Sequence, residues 1–173
     1  MNKLIKDSKR LSYFLRHHPE EAGCTIDKYG WVDIDTLCKN TNFTKEYLRE
    51  IVDSDTRYTF SEDGKKIRAF HGHSVDGIIY TNEVEPPNIL YHGTSKDLYE
   101  KIKESGYIKG MSRVLVHLSD TKEKAKVIGE RHGDPVLLQI DCSSMIDDGF
   151  KFYKSEDGVY LCEDIPLKYI LKI

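Results

Sequence analysis

Arginine and histidine side chains recur beside glycines in this sequence, and this combination suits chemistry on phosphate. Arginine offers a planar set of donors that matches a phosphate group, and histidine exchanges a proton near neutral pH. Glycine lets the backbone approach such a ligand closely. Five segments have features of this kind: 15–19, 65–74, 91–95, 113–119 and 129–135.

Each cluster also has an ordinary structural interpretation. Arg16, His17 and Arg131 end predicted helices, where cations complement the helix dipole. Arg68 lies on a predicted hairpin whose basic side chains would be solvated, and 91–95 suits a turn between a strand and a helix. By helical angle Arg16 and His17 project away from the apolar stripe, so we expect both on the surface. Spacing alone leaves both interpretations open.

Several common catalytic patterns are absent from the sequence. It contains no GxGxxG or GxxxxGK[ST] motif, no Ser-His-Asp or Cys-His order, and no paired carboxylates with metal-like spacing. Its four cysteines form no CxxC pair, so we expect reduced core thiols and no zinc site. A dinucleotide would therefore need a non-Rossmann site, and we expect phosphate chemistry without a metal.

Composition indicates a globular chain of ordinary charge. Of 173 residues, 39% are hydrophobic and 32% charged, and neither a membrane span nor a signal peptide is evident, so we expect a cytoplasmic protein. The net charge is −3, with 13 basic and 15 acidic residues in 1–85 and 13 and 14 in 86–173. Neither half is a basic domain, which argues against strong non-specific nucleic-acid binding.

The elements that must position these clusters divide into two predicted lobes, 1–85 and 86–173, joined by an extended linker at 82–88 around Pro86-Pro87. In the first lobe a helix is predicted over 3–17, and His18 would project near its apolar stripe. The stripe comprises Leu4, Leu11, Phe14 and Leu15. Asp33 and Thr44 are predicted to cap two further helices, and 57–70 to form a hairpin. This order is that of a winged helix, a module that often contacts nucleic acid.

The second lobe is predicted as α+β, with many short strands and two helices. Strands are predicted at 89–92, 114–118, 135–141 and 169–173, and a hairpin over 150–162. Helices are predicted over 96–104 and from Ser119 or Asp120 to about His132. Alternation along 113–118 would place Arg113, Leu115 and His117 on one face of a strand.

Taken together, the clusters resemble the RNA 2′-phosphotransferase family, which includes tRNA-splicing enzymes and bacterial relatives. The matching segments follow the family's order and cover nearly the whole chain. They are LSYFLRHHPE (11–20), GWVDIDTL (30–37), KIRAFHGHS (66–74), LYHGTS (90–95), VHLSD (116–120) and GERHGDPVLLQID (129–141). The resemblance implies an N-terminal winged-helix lobe that binds RNA and a C-terminal ADP-ribosyltransferase-like lobe that binds NAD⁺.

The resemblance also implies a reaction and a set of residues. NAD⁺ is the co-substrate: an internal RNA 2′-phosphate is transferred to ADP-ribose, which releases nicotinamide and ADP-ribose 1″,2″-cyclic phosphate. Carried over residue by residue, the catalytic set is Arg16, His17, Arg68 and Arg131. The NAD⁺ site is His92, Gly93, Thr94, His117 and Ser119. His71, His73 and Arg113 are implied as further contacts of the substrate phosphate.

The sequence departs from the family pattern at His71, where the family usually has glutamine, and at Leu115, where histidine is common. Both changes put substrate or NAD⁺ contacts in doubt more than the type of reaction. Three alternatives stay open: ADP-ribosylation of a terminal phosphate on RNA or DNA, ADP-ribosylation of a protein, and a non-enzymatic winged-helix binder. We expect RNA with a 2′-phosphate and NAD⁺ as partners, no metal, no membrane, and a monomer.

Overall fold

The computed structural model describes residues 2–111 and 113–171 of the chain. These residues form two compact units. Unit 1 comprises the residues up to Tyr80 together with Arg113 and Val114, and unit 2 comprises Thr81–Met111 and the residues from Leu115 onward. Both units combine helices with small antiparallel sheets, which confirms the α+β class.

Unit 1 contains three α-helices and three strands among its described residues. They are α1 (Lys3–Arg16), β1 (Val32–Asp33), α2 (Ile34–Asn40), α3 (Lys45–Ser54), β2 (Tyr58–Phe60) and β3 (Lys66–Ala69), with a 3-10 turn at Pro19–Ala22. The predicted caps are confirmed, since Asp33 accepts from the Thr36 amide and Thr44 from the Tyr47 amide. A side-chain acceptor satisfies an amide that the first helical turn leaves without a partner.

The core of unit 1 is one hydrophobic cluster between α1, α2, α3 and the sheet. Leu11 and Leu15 on α1 are fully buried, and Leu4 packs against the cluster, so the predicted stripe is confirmed. The sheet has the strand order β1-β3-β2, and the predicted hairpin is its β2-β3 pair. Ile67 and Ala69 of β3 are buried in the core, which leaves Arg68 on the opposite face.

A polar network links α1 to the segment between α3 and β2. Arg57 donates through Nε and Nη2 to both carboxylate oxygens of Asp55, and Nη2 also donates to Ser8 Oγ at 2.8 Å. Tyr58 Oη donates to the carbonyl of Ser8 at 2.7 Å. The hydrogen bonds from Arg57 and Ser8 lower the pKa of Asp55 to about 2, although burial acts in the opposite direction.

Unit 2 contains three α-helices and eight strands among its described residues. They are β4 (Ile89–Ser95), α4 (Lys96–Ser105), β5 (Tyr107–Ile108), β6 (Val116–Leu118), α5 (Lys122–Glu130), β7 (Pro135–Asp141), α6 (Cys142–Asp147), β8 (Phe152–Lys154), β9 (Tyr160–Cys162), β10 (Ile165–Pro166) and β11 (Ile170–Leu171), with a 3-10 turn at Leu167–Tyr169. The sheets have the orders β11-β7-β4, β6-β9-β8 and β10-β5. The end of the predicted last strand, 172–173, lies outside the described residues.

Several predicted boundaries in unit 2 are wrong. The strand that begins at Ile89 continues through Ser95, because β7 pairs with it along its whole length. Thr121 caps α5, since its side chain accepts from the Lys124 amide, so neither Ser119 nor Asp120 is the cap. The helix α6 was not predicted, because its six residues are too few for a helical period to show in the sequence.

Part of the segment predicted as a linker adds to the structure of unit 2. The Lys154 amide donates to the carbonyl of Asn82 at 3.0 Å, and the Val84 amide donates to the carbonyl of Phe152 at 2.9 Å. Residues 82–84 therefore run beside β8, ahead of the proline pair. The two units divide between Tyr80 and Thr81.

All four cysteines are free thiols, and Cys24, Cys142 and Cys162 are buried, as predicted for core residues. Burial raises the pKa of the Cys142 thiol to about 12, which keeps it protonated and unreactive. Across residues 2–111 and 113–171, every helix is too short or too polar to cross a bilayer.

We predict that the Asp55 network makes unit 1 sensitive to acid. Asp55→Asn should lower the free energy of unfolding at neutral pH by about 2 kcal/mol, the value of a pKa depressed from 3.8 to about 2. A carboxyl with a depressed pKa stabilises the fold above its unfolded pKa, and this contribution is lost as pH falls. The gap between wild type and variant should therefore close between pH 4 and pH 2 in urea titrations.

Asp53→Asn, at an exposed position of α3, is the matched control and should change stability little. A gap between wild type and Asp55→Asn that stays constant from pH 7 to pH 2 would contradict the assigned role of the ionised carboxyl.

Candidate active site

The end of α1 carries the first two predicted catalytic residues. The helix ends at Arg16, and the next residue, His17, leaves helical geometry with φ of −126°. The carbonyl of Arg16 accepts from the backbone N–H of Ser74 at 2.9 Å, and His17 Nδ1 lies 2.9 Å from Ser74 Oγ. The loop that follows β3 therefore caps α1 and contacts the imidazole of His17.

Arg16 is buried, with 9% of its surface exposed, so its expected placement on the surface is wrong. Gly72 packs against the guanidinium, and its φ of +86° is a left-handed backbone conformation that favours glycine. His18 was expected near the apolar stripe, but its side chain is 44% exposed and pairs with Glu20. The helical angle fails for His18 because the helix has already ended.

Arg68 stands on the face of β3 opposite the core, as predicted. Its guanidinium lies over the ring of Trp31, with Cζ 4.4 Å from the ring centroid, and Nη1 lies 3.4 Å from the carbonyl of Tyr29. Stacking on an aromatic face orders a guanidinium and fixes the direction in which its N–H groups point. Trp31 thus orients Arg68, a role that its place in the GWVDIDTL segment does not reveal, because the two residues are far apart in the sequence.

His73 is 1% exposed, the most deeply buried of the residues assigned to the substrate phosphate. Its Nδ1 lies 3.1 Å from Tyr80 Oη, and Nε2 faces Gly30, where a Cβ would come within 2.9 Å. Burial, with Arg16 as the largest nearby charge, lowers the pKa of His73 to about 3. A neutral His73 supports the loop from inside, beside the half-buried His71.

Cationic groups converge around the loop 71–74 in unit 1. Burial lowers the pKa of His17 below its usual 6.5, and the positive charges of Arg16 and Arg113 act in the same direction. Arg16 and Arg68 act in the same direction on His73. Several like charges in one partly buried place favour binding of an anion, which neutralises their repulsion.

Arg113 lies in unit 1 with the other cationic residues around the loop 71–74. The neighbouring Val114 amide donates to the carbonyl of His73 at 3.0 Å, which holds the segment in unit 1. The prediction that Arg113 shares a strand face with Leu115 and His117 is wrong, because β6 begins only at Val116.

In unit 2, three of the residues predicted at the NAD⁺ site come together. Tyr91 on β4 and Ser119 after β6 exchange two backbone hydrogen bonds, at 2.9 and 2.8 Å. Beside this bridge His92 Nδ1 lies 3.1 Å from the carbonyl of His117, so its N–H donates there and Nε2 is the acceptor of the neutral ring. The His92 side chain, the backbone carbonyl of His117 and the backbone of Ser119 thus lie together where β4 meets the end of β6.

Gly93 and Thr94 have a structural explanation of their own. They lie within β4, paired with Leu137 and Val136, and not in a turn between a strand and a helix. A Cβ on Gly93 would lie 1.7 Å from the carbonyl oxygen of Ala125, so only glycine lets α5 pack this closely on β4. Thr94 is 3% exposed.

Arg131 follows α5 as its C-cap and is exposed. The position next to the end of a helix agrees with the dipole interpretation. Of the four residues carried over as catalytic, Arg16, His17 and Arg68 lie in unit 1 and Arg131 lies in unit 2.

Comparison with known proteins identifies the family. The model of the RNA 2′-phosphotransferase, Tpt1/KptA family matches residues 2–164. The chain belongs to this family.

Curated relatives in several bacteria agree with the assignment. A protein of Pseudomonas syringae pv. tomato is 41% identical over an alignment that covers 100% of this chain and 97% of the relative. Proteins of Agrobacterium fabrum and Flavobacterium johnsoniae are 41% and 42% identical, each over 94% of this chain and over 91% and 93% of the relative. All three are named probable RNA 2′-phosphotransferase.

We predict that Gly93 in this family member is required for packing. Gly93→Ala places a methyl group against the backbone of α5, and such overpacking should cost about 1–3 kcal/mol or more of unfolding free energy. Thermal and urea unfolding measure this cost without NAD⁺. Lys126→Ala, at an exposed position on the same helix, is the control and should change stability by less than about 0.5 kcal/mol. Wild-type stability in Gly93→Ala would show that the contact between strand and helix is loose.

Proposed function

We propose that this protein removes an internal 2′-phosphate from RNA by transferring it to the ADP-ribose part of NAD⁺. Membership of the RNA 2′-phosphotransferase family supports phosphate removal. The observation that carries the proposal further is the convergence of Arg16, His17 and Arg68 around one loop of unit 1. A 2′-phosphate is a monoester with up to two negative charges, the ligand that such a group of cations favours.

In the proposed first step an oxygen of the 2′-phosphate forms a bond to C1″ of NAD⁺. The C1″–N bond breaks, and nicotinamide leaves with the bonding electrons as a neutral molecule. The arginines hold the phosphate in line with C1″, and such positioning can lower a barrier by about 7–11 kcal/mol. Arginine suits this role because it keeps its charge at every working pH.

In the proposed second step the 2″-hydroxyl of ADP-ribose attacks the phosphorus. The bond from phosphorus to the RNA 2′-oxygen breaks, the 2″-hydroxyl loses a proton, and the RNA oxygen gains one. His17 is the proposed proton-transfer group, since its lowered pKa favours the neutral imidazole that can accept a proton. Charge that develops on the phosphoryl oxygens is stabilised by donors already in place.

For NAD⁺ the proposed contacts are His92, His117 and Ser119, which the hydrogen bonds between β4 and the end of β6 bring together in unit 2. Arg131 is the proposed fourth catalytic residue. We further propose that unit 1 is a winged-helix lobe and unit 2 an ADP-ribosyltransferase-like lobe. Gly93 and Thr94 would support this site by allowing α5 to pack on β4.

The deciding experiment uses an oligoribonucleotide with one internal 2′-phosphate, incubated with and without NAD⁺. The proposal predicts a 2′-hydroxyl RNA, nicotinamide and ADP-ribose 1″,2″-cyclic phosphate in equal amounts, only with NAD⁺. The same RNA with a terminal phosphate tests the alternative activity, which would leave ADP-ribose attached to the end. Phosphate loss without NAD⁺ would contradict the proposed mechanism.

His17→Ala should separate the two steps. We expect the second step to slow more than the first, because His17 is the one member of the catalytic set that exchanges protons near neutral pH. The branched RNA-2′-phospho-ADP-ribose intermediate should then accumulate and migrate more slowly on a denaturing gel. Slow turnover without this species would place His17 in the first step or in binding.

His18→Ala is the matched control, since His18 is the adjacent imidazole and its side chain pairs with Glu20 at the surface. We expect near-normal turnover and no intermediate. A comparable loss in both variants would indicate damage to the end of α1 and not a role of one imidazole.

A further inference from the structure

Ser74 contacts the end of α1 in two separate ways. Its backbone N–H donates to the carbonyl of Arg16, and its hydroxyl oxygen lies 2.9 Å from Nδ1 of His17. The first contact satisfies one of the carbonyls that the last helical turn leaves without a partner. The second contact is independent of it, because the side chain could be removed while the backbone bond stays.

The hydroxyl determines which nitrogen of His17 is available for chemistry. With Nδ1 engaged by Ser74, Nε2 is the nitrogen that can meet a substrate. When the proton of the neutral ring is on Nε2, the hydroxyl donates to Nδ1. When the proton is on Nδ1, or when both nitrogens are protonated, the hydroxyl accepts from Nδ1–H. Ser74 thus supports every protonation state of the ring without requiring it to turn.

The charges around His17 make this partner chemically important. Arg16, His18 and Arg113 act on the imidazole from the end of α1 and from the segment beside His73, and all three favour its neutral form. A carboxylate in place of the hydroxyl would counter them and hold the imidazolium. A hydroxyl orients the ring without adding charge, so the proton stays transferable.

We propose that Ser74 is a positioning residue that directs Nε2 of His17 toward the reacting phosphate. This rests on the proposed function of His17 as the proton-transfer group. Ser74 itself touches neither the phosphate nor NAD⁺ in this account.

The test compares Ser74→Ala with Ser74→Thr, which keeps the hydroxyl. We expect Ser74→Ala to lower kcat by about tenfold to a hundredfold, a part of the 10²–10⁴-fold that a positioned acid–base group contributes. KM for the RNA should change little, and Ser74→Thr should recover most of the lost rate. Ser54→Ala, at an exposed serine whose hydroxyl bonds to the carbonyl of Ile51 in its own helix, should behave as wild type.

A spectroscopic measurement tests the contact without any reaction. In ¹⁵N-detected NMR of the whole protein, with His17→Ala used to assign the signals, Ser74→Ala should change the balance of protonation between Nδ1 and Nε2. Ser74→Asp should raise the pKa of His17 and move the acidic limb of the rate profile to higher pH. Ser74→Thr should leave both close to wild type.

These outcomes separate two kinds of failure. An inactive wild type refutes the proposed function, while the NMR comparison still decides the contact. An active wild type whose kcat and His17 signals are unchanged in Ser74→Ala overturns the positioning role. Loss of folding in Ser74→Ala, recognised by melting, leaves Ser74→Asp and its pH profile to decide, and an unshifted profile overturns the proposal.

Discussion

The candidate site of unit 1 depends on one backbone hydrogen bond, from the amide of Ser74 to the carbonyl of Arg16. It joins the end of α1 to the loop after β3, two segments that are distant in the sequence. A helix end that is not capped frays, so this bond also determines where Arg16 and His17 point. The buried His73, with Tyr80 as its partner, holds the loop from the inside, and Gly72 supplies the left-handed turn beside the guanidinium of Arg16.

The candidate site of unit 1 places several cationic groups close together, and their repulsion destabilises the folded chain when no substrate is bound. Burial of Arg16 beside His17 and His73 is opposed by desolvation and by repulsion between like charges. Keeping both histidines neutral reduces that repulsion, as the lowered pKa values of His17 and His73 indicate. A bound dianion would relieve what remains, so stability and anion binding are coupled in this unit.

The features that were predicted correctly from the sequence are those that depend on residues close together in the chain. The caps at Asp33 and Thr44 and the hairpin of 57–70 follow from local backbone chemistry, and each was found. Contacts between distant residues were missed. Ser74 and His17 are 57 positions apart, and nothing in the spacing of the segment 66–74 indicates which side chain meets the imidazole.

The same limit explains why the packing of Gly93 and the position of Arg113 were not predicted. A glycine at the edge of a motif suggests ligand contact, but the carbonyl of Ala125 against Gly93 is visible only when α5 is placed on β4. The mostly apolar segment 114–118 predicts a strand that Arg113 would extend. In the structure the Val114 amide instead donates to the carbonyl of His73 in the loop of unit 1. Family motifs supplied the residues of the candidate site, and the fold adds which of them are buried and which residues they contact.

The most direct test of the central claim is equilibrium binding without NAD⁺. An RNA with one internal 2′-phosphate is compared with the same RNA carrying a 2′-hydroxyl, in wild type and in Arg68→Ala. The account predicts at least about tenfold tighter binding of the phosphorylated RNA, since a charge-assisted hydrogen bond contributes about 1.5–3 kcal/mol, and the preference should shrink in the variant. Equal affinity of wild type for both RNAs would contradict it.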